Sequence, residues 1–208
     1  MKDDIWPMVH AERAALIEDL EHVDDAQWEQ PSLCDGWTVH DVVAHMVDTA
    51  RTTRRSFVVD MVRMRFDFDR QNALGLVRGR GATPRQTLDG LREVASLTST
   101  PPAPIVTRLV EEVLHGEDIR WPLGLTRVYP QDAVVRCVRY LARTAATFGG
   151  AKERIAGVRL TATDAHLSIG DGPDVRGTAL ALLLAASGRR VALDELDGPA
   201  LATLTARV

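Results

Sequence analysis

Glu111 and His115 stand four residues apart in the segment EEVLH, and this spacing can bring two metal ligands together. If the segment is helical, both side chains lie on one face, one turn apart, where they can share one ion. His45 lies in a second segment, VHDVVAHMVD, three residues after Val42 and next to Met46, so it falls on or beside an apolar stripe. Two histidines and one carboxylate suit zinc, and also iron or nickel, and they leave coordination positions open for water or substrate. The three residues are therefore candidate metal ligands.

The spacing of Glu111 and His115 is also typical of an exposed pair on a helix surface. Both residues lie away from the apolar arc of their helix, on a polar stripe that includes Arg108 and Asp118. Such a stripe either faces water or lines a polar cavity inside a helical bundle. Asp118 follows His115 by three residues. It is either a surface acid or the hydrogen-bond acceptor that a metal-bound histidine needs for its second ring nitrogen. The spacing leaves both alternatives open.

The elements that must position these residues are mostly helical. Apolar side chains over residues 5–23 recur with a period of about 3.6 and predict a first helix. Thr38 has the character of an N-cap, with Asp41 three residues later in a capping-box arrangement, and it predicts a long second helix that ends near Arg65. We expect a glycine-containing loop to follow, and then helices over about 85–97, up to about 119, and over about 131–148.

The character of the sequence changes after Gly150, where short strand-like runs such as GVRLTAT and HLSIG are separated by turn residues. The run RGTALALLLAAS predicts a buried helix that ends at Gly188. We therefore expect an α+β protein, with a metal-binding helical domain over residues 1–150 and a small α/β domain over 151–208.

The composition is that of an ordinary globular protein: 208 residues, 45% hydrophobic and 26% charged, are enough to bury a core. The net charge is −4 and the basic residues are scattered, which argues against a nucleic-acid partner because nothing concentrates positive potential on one face. No apolar stretch approaches the roughly 20 residues that cross a bilayer, and the N-terminus lacks the features of a signal peptide. We expect a cytoplasmic monomer or homodimer that binds no membrane.

The two cysteines, Cys34 and Cys137, give no disulfide framework. Cys137 sits in an apolar helical run and is expected in the core. Cys34 lies in a turn-rich segment, and a reactive thiol there would need a feature that favours the thiolate, which the sequence does not show. We therefore assign Cys34 no catalytic role.

Several aromatic side chains are interpreted as structural. Trp28 and Trp37 flank the turn before the second helix and are expected to be packing residues, or alternatively a wall for ligand stacking. His10, His22 and His40 are expected at the surface.

The segment PSLCDGWTVHDVVAHMVD, followed later in the chain by EEVLHGEDIRWPLG, resembles the paired signature of the mycothiol-dependent maleylpyruvate isomerase family. The resemblance implies a DinB-like four-helix bundle whose metal is held by His45, Glu111 and His115. The run LTATDAHLSIGDGPDVRGTALALLLAASGR likewise resembles the small α/β domain of that family, which has a sterol-carrier-protein-like shape.

The resemblance further implies an enzyme that uses mycothiol and a divalent metal, with zinc the first choice and nickel or iron as alternatives. The metal would stabilise the thiol as thiolate, which would add to an electrophilic carbon of a small substrate, expected to be anionic. Reversal after bond rotation gives cis-trans isomerisation, and retention of the sulfur gives S-transfer. Because the family uses an arginine of the C-terminal domain, Arg176 is the candidate contact for the substrate anion, with Asp118 as the second candidate catalytic residue. The residues that bind the thiol are not identified.

Two other functions stay open at this point. The chain could be a non-catalytic module that binds a small molecule or lipid in its C-terminal domain. It could also be a metal-dependent hydrolase that uses bound water as nucleophile. No general base separate from the ligands is identifiable for the hydrolase.

Overall fold

The computed structural model describes residues 4–208, in which mostly α-helical structure is joined to a small three-stranded sheet. The chain divides into two compact units, residues 1–127 and 128–208. No helix among the described residues is both long enough and apolar enough to span a membrane.

The first unit is helical and is organised around its third helix. The helices of this unit are α1 (Trp6–Leu20), α2 (Asp25–Trp28), α3 (Val39–Arg51), α4 (Arg54–Arg63), α5 (Phe68–Gly79), α6 (Pro84–Val94) and α7 (Thr107–Leu123). Helix α3 packs against α5, α6 and α7, and α1 packs against α6 and α7.

The core of this unit is formed by apolar side chains of α1, α3, α6 and α7, among them Leu16, Val43, Leu91 and Ile119. Trp28 is buried in the same cluster, as expected of a packing residue. Burying apolar surface is the main favourable term in folding, so this cluster fixes α3 against α7, the two helices that carry the candidate ligands.

The start of α3 agrees with the prediction and its end does not. The Thr38 hydroxyl accepts a hydrogen bond from the Asp41 backbone N–H at 3.2 Å, and the Asp41 carboxylate accepts one from the Thr38 N–H at 3.0 Å, which completes the capping box. The predicted single helix to Arg65 is wrong, because α3 ends at Arg51. The backbone is extended at the next two residues, and a second capping box between Thr53 and Ser56 starts α4.

The glycine-containing segment that we expected to be a loop is instead helix α5. Asp67 caps this helix by accepting a hydrogen bond from the Arg70 N–H at 3.1 Å. A side chain at position 79 would overlap the backbone carbonyl of Ala44, so Gly79 allows α5 to lie close against α3. The glycine therefore marks close helix packing rather than a break in the helix.

Arg13 and Glu112 form a buried ion pair between α1 and α7, with 2.7 Å between Arg13 Nε and Glu112 Oε1. The same guanidinium donates hydrogen bonds to the carbonyls of Val94 and Leu97 at the end of α6. The buried guanidinium of Arg13 thus connects α1 to α7 and to the end of α6. Burial raises the pKa of Glu112, although the charge and hydrogen bond of Arg13 act in the opposite direction.

His40, which we expected at the surface, is buried. Its Nε2 lies 2.6 Å from the Thr87 hydroxyl and its Nδ1 lies 3.3 Å from a Glu29 carboxylate oxygen. Burial lowers the pKa of His40. The prediction was wrong because His40 is on the face of α3 that packs against α6, a contact that the local sequence does not reveal.

The second unit combines helices with a three-stranded sheet. Its elements are α8 (Gln131–Leu141), a 3₁₀ helix (Ala146–Phe148), β1 (Arg159–Ala162), β2 (Ser168–Ile169), β3 (Asp174–Gly177), α9 (Ala179–Ala186), a second 3₁₀ helix (Arg190–Glu195) and α10 (Leu201–Thr205). The strand order is β2-β1-β3, and β1 pairs antiparallel with β2 and parallel with β3. Helix α9 is almost entirely buried and packs against α8 and against the sheet.

The runs GVRLTAT and HLSIG contain β1 and β2, and the apolar run after them contains α9. Cys137 is fully buried in α8, as expected, and burial raises the pKa of its thiol to about 12. We expected α8 in the helical domain because of its helical character, whereas its contacts group it with α9 in the second unit. The boundary between the two compact units thus lies between residues 127 and 128. The division into domains 1–150 and 151–208 stays a prediction.

Candidate metal centre

The side chains of His45, on α3, and of Glu111 and His115, on α7, converge. The Nε2 atom of His45 lies 2.8 Å from Oε1 of Glu111, and the Nε2 atom of His115 lies 3.5 Å from the same oxygen. The two imidazole rings are 5.0 Å apart between centroids. Each residue offers one ligand atom, and the three atoms lie within 4.8 Å of one another.

The three side chains are largely shielded from water. The exposed fractions are 11% for His45, 18% for Glu111 and 17% for His115. The polar stripe of α7 therefore faces a neighbouring helix rather than solvent, which decides between the two alternatives that the spacing left open.

The two carboxylate oxygens of Glu111 have different partners. Oε1 faces both histidines, whereas Oε2 lies 3.5 Å from Nη2 of Arg108. Burial alone would raise the pKa of Glu111, but hydrogen bonds with His115 and His45, together with the charge of Arg108, hold that pKa well below its usual value. Glu111 is therefore an ionised carboxylate, as a metal ligand must be.

His115 is fixed from both sides of its ring. Nδ1 lies 2.9 Å from Oδ2 of Asp118, which is fully buried, and Nε2 points toward Glu111. Burial alone would lower the pKa of His115, but its hydrogen bonds with Asp118, Cys34 and Glu111 raise that pKa well above its usual value. Asp118 thus lies where an acceptor for a metal-bound histidine would lie.

Trp37 lies beside the candidate ligands, with its ring centroid 5.1 Å from that of His45. It is also partly buried against the hydrophobic core. Trp37 therefore combines packing with a position at the edge of the site, where an aromatic wall can restrict the access of water.

Cys34 belongs to the same group of side chains, although we assigned it no role from the sequence. Its Sγ lies 3.1 Å from Oδ2 of Asp118 and 3.8 Å from Nδ1 of His115. The loop that carries it is attached to α7 by a hydrogen bond from the Leu33 N–H to the Asp118 carbonyl at 3.2 Å. No signal in the sequence could have placed Cys34 here, because the approach of this loop to α7 is a tertiary contact.

Arg176 lies on β3 in the second unit, and its guanidinium is 3.1 Å from Oδ2 of Asp174. Its side chain is 55% exposed, and its backbone forms a bridge with Asp197. An exposed arginine can exchange its ion-pair partner for another anion, but the role of Arg176 in catalysis stays a prediction.

The donor set fits a divalent ion. Two imidazole nitrogens and one carboxylate oxygen lie within 4.8 Å of one another, and a buried acceptor on Nδ1 of His115 leaves Nε2 available as a ligand atom. Three protein ligands leave coordination positions for a further ligand. The convergence of two histidines on one carboxylate oxygen is thus compatible with either a metal centre or a buried ion-pair cluster in the metal-free protein.

Comparison with known proteins supports the resemblance predicted from the sequence. Residues 9–100 match the family model described as the mycothiol maleylpyruvate isomerase N-terminal domain. The matched segment includes His45 and ends before Glu111. The expected resemblance to this enzyme family is therefore confirmed. No curated protein gives a significant match.

Two solved structures share the fold. A crystal structure of the mycothiol-dependent maleylpyruvate isomerase has a TM-score of 0.64 and 14% sequence identity, and the similarity covers 93% of this chain and 91% of that chain. A histidine-to-alanine variant of that enzyme gives a TM-score of 0.66 at 13% identity, with the same coverage. At this low identity the similarity establishes the fold alone.

Proposed function

We propose, from the premise that residues 9–100 belong to the mycothiol maleylpyruvate isomerase N-terminal domain family, that the chain is a metal- and mycothiol-dependent isomerase or S-transferase. Its substrate would be a small electrophilic molecule, expected to be anionic, as maleylpyruvate is. The observation that carries the proposal is the convergence of His45, Glu111 and His115 from two helices. The family match supports the use of mycothiol, and the two solved structures support the overall fold. A DinB-like bundle for the first unit and a sterol-carrier-protein-like shape for the second are part of the proposal.

A divalent ion bound by these ligands, with zinc the first choice and nickel or iron as alternatives, would supply a thiolate nucleophile at neutral pH.

Arg108 determines how Glu111 can bind. Arg108 is buried, its Nη2 lies beside Oε2 of Glu111, and its Nη1 donates to the Thr49 carbonyl at 3.3 Å. With Oε2 held in this way, Glu111 is restricted to binding through Oε1. A carboxylate that binds through one oxygen leaves more of the coordination sphere to the thiol and the substrate.

Asp118 and Trp37 act on the two histidines. Asp118 holds the proton of His115 on Nδ1, which leaves the lone pair of Nε2 for the ion. Trp37 lies beside His45 and would restrict the access of water to a metal and thiol bound there. Arg176 remains our proposed contact for the anionic group of the substrate.

The proposal is tested by assaying mycothiol-dependent isomerisation of maleylpyruvate, and mycothiol consumption with other small electrophiles, before and after treatment with a chelator. We expect the chelator to abolish turnover and added divalent metal to restore it. His45→Ala should be inactive, whereas His22→Ala, which changes an exposed histidine, should keep full activity. Turnover that is unaffected by the chelator and by His45→Ala would overturn the proposal.

A further inference from the structure

We propose that Cys34, His115 and Asp118 form a second metal site, which binds a thiophilic divalent cation such as Cd²⁺ or excess Zn²⁺ and inhibits the first. This inference goes beyond the proposed function. The second site shares His115 with the first as a metal ligand, and it gives a second role to Asp118, which orients His115 in the first site. It starts from a donor set that is chemically different from the first, because it contains a sulfur.

The separations of the three donor atoms are close to those of a tetrahedral site. Sγ of Cys34 is 3.1 Å from Oδ2 of Asp118 and 3.8 Å from Nδ1 of His115, and Nδ1 is 2.9 Å from Oδ2. Zinc bond lengths of about 2.0–2.3 Å at tetrahedral angles separate neighbouring ligand atoms by about 3.3–3.6 Å. Shifts of a few tenths of an ångström would therefore complete the site.

The second site would use a different nitrogen of His115. The predicted catalytic ion binds Nε2, on the side of Glu111, whereas Nδ1 faces Cys34 and Asp118. The two sites thus lie on opposite edges of the same ring.

The backbone holds the second set in place. His115 and Asp118 are one turn apart on α7, and the loop before α3 is attached to α7 through Leu33. The N–H of Cys34 donates to the Ser32 hydroxyl at 3.1 Å, which fixes the loop further. Cys34 is partly exposed while Asp118 is fully buried, so a cation can enter from the side of the sulfur.

The ligand types select the cation. Thiolate is a soft ligand that favours zinc and cadmium, whereas Mg²⁺ and Ca²⁺ prefer sets made only of oxygen. Binding releases two protons to solvent, one from the Cys34 thiol and one from Nδ1 of His115. The remaining thiolate and carboxylate then neutralise the charge of the dication.

Sharing one ring makes the two sites compete. An ion on Nδ1 displaces the proton that Asp118 would otherwise hold there, and simultaneous binding on both edges requires the ring to lose both protons. A soft cation on Cys34 therefore weakens binding of the ion held by His45, Glu111 and His115. The consequence is a site through which thiophilic metals would inhibit the enzyme.

The test is a Cd²⁺ titration of the full-length protein as purified, followed by the ultraviolet charge-transfer absorption of a cadmium–thiolate bond. Because the first ligand set contains no sulfur, this absorption reports only a cysteine ligand. We expect the band in the native protein, its loss in Cys34→Ser, and Cd²⁺ binding weakened more than tenfold in Asp118→Ala. Cys137→Ala, which removes the buried thiol of α8, should keep the band.

The variant Glu111→Gln distinguishes a failure of this proposal from a failure of the proposed function, because it removes a ligand of the first site and none of the second. We expect Cd²⁺ to bind this variant more tightly than it binds the native protein, because the variant binds the competing ion of the first site more weakly. The band would appear even if the first site had no catalytic role. Absence of the band in the native protein, its survival in Cys34→Ser, or weaker Cd²⁺ binding in Glu111→Gln would overturn the proposal. Cys34→Ser differs by one atom, and a native circular dichroism spectrum would show that it folds.

Discussion

Asp118 accepts a hydrogen bond from Nδ1 of His115 at 2.9 Å, and the carboxylate is fully buried. A carboxylate in this position fixes the tautomer of the imidazole and makes Nε2 a better metal ligand. We expect Asp118→Ala to weaken metal binding by about 10- to 100-fold. Asp118→Asn, which keeps an acceptor oxygen but loses the charge, should have a smaller effect.

This prediction is checked by competition against a chromophoric chelator. The matched control is Asp25→Asn, since Asp25 is exposed at the start of α2. Unchanged affinity in Asp118→Ala would mean that the buried carboxylate does not act on the metal through His115.

Arg108 is expected to influence the same affinity through Glu111. Replacing Arg108 by Met would release Oε2 of Glu111 and so loosen the carboxylate that binds through Oε1. We expect metal binding about tenfold weaker, as for other residues that orient a ligand. The measurement is the same chelator competition, with the exposed Arg55 replaced by Met as the control. Equal affinities in the two variants would contradict this role for Arg108.

Metal affinity is expected to increase with pH. His115 must lose its Nε2 proton before it can bind an ion, and the pKa of His115 is raised well above its usual value. Below that pKa the ion displaces a proton, so affinity falls as pH falls. Glu111 stays ionised throughout this range because its pKa is lowered. Calorimetric titrations at pH 6 and pH 8, in buffers of different ionisation enthalpy, should show weaker binding and proton release at pH 6; equal affinity without proton release would contradict the protonation state assigned to His115.

Arg13 is expected to matter for stability rather than for metal binding. Arg13→Met would leave the Glu112 carboxylate buried without its cation, and the backbone carbonyls of Val94, Ala95 and Leu97 without the donor that Arg13 supplies. Loss of one partner of a buried ion pair costs about 3–5 kcal/mol. Urea unfolding should show this decrease in the free energy of unfolding, and metal content should be unaffected in the folded protein. A decrease below about 1 kcal/mol would show that the pair behaves like an exposed one.

Local features of this chain could be predicted from the sequence. The capping box of Thr38 and Asp41 depends on residues three apart, and it is present in the structure. The apolar run that forms α9 was visible because it is continuous. Turn residues placed β1 and β2 in separate short segments.

Features that depend on contacts distant in sequence could not be predicted. The glycine of α5 that lies against Ala44 was interpreted as a loop residue, since its packing partner is on another helix. His40 is buried by a contact between α3 and α6. For the candidate site, position and spacing made His45, Glu111 and His115 candidates, and the family resemblance implied that they act as one ligand set. Only the structure placed Cys34 beside them.

The central claim is that His45, Glu111 and His115 together hold one metal ion, and elemental analysis of protein purified without added metal tests it most directly. We predict one divalent ion per chain, with zinc the first choice. His45→Ala and His115→Ala should each lose it, and His22→Ala should retain it. A folded native protein that contains no metal, or a His115→Ala variant with undiminished metal content, would contradict the claim.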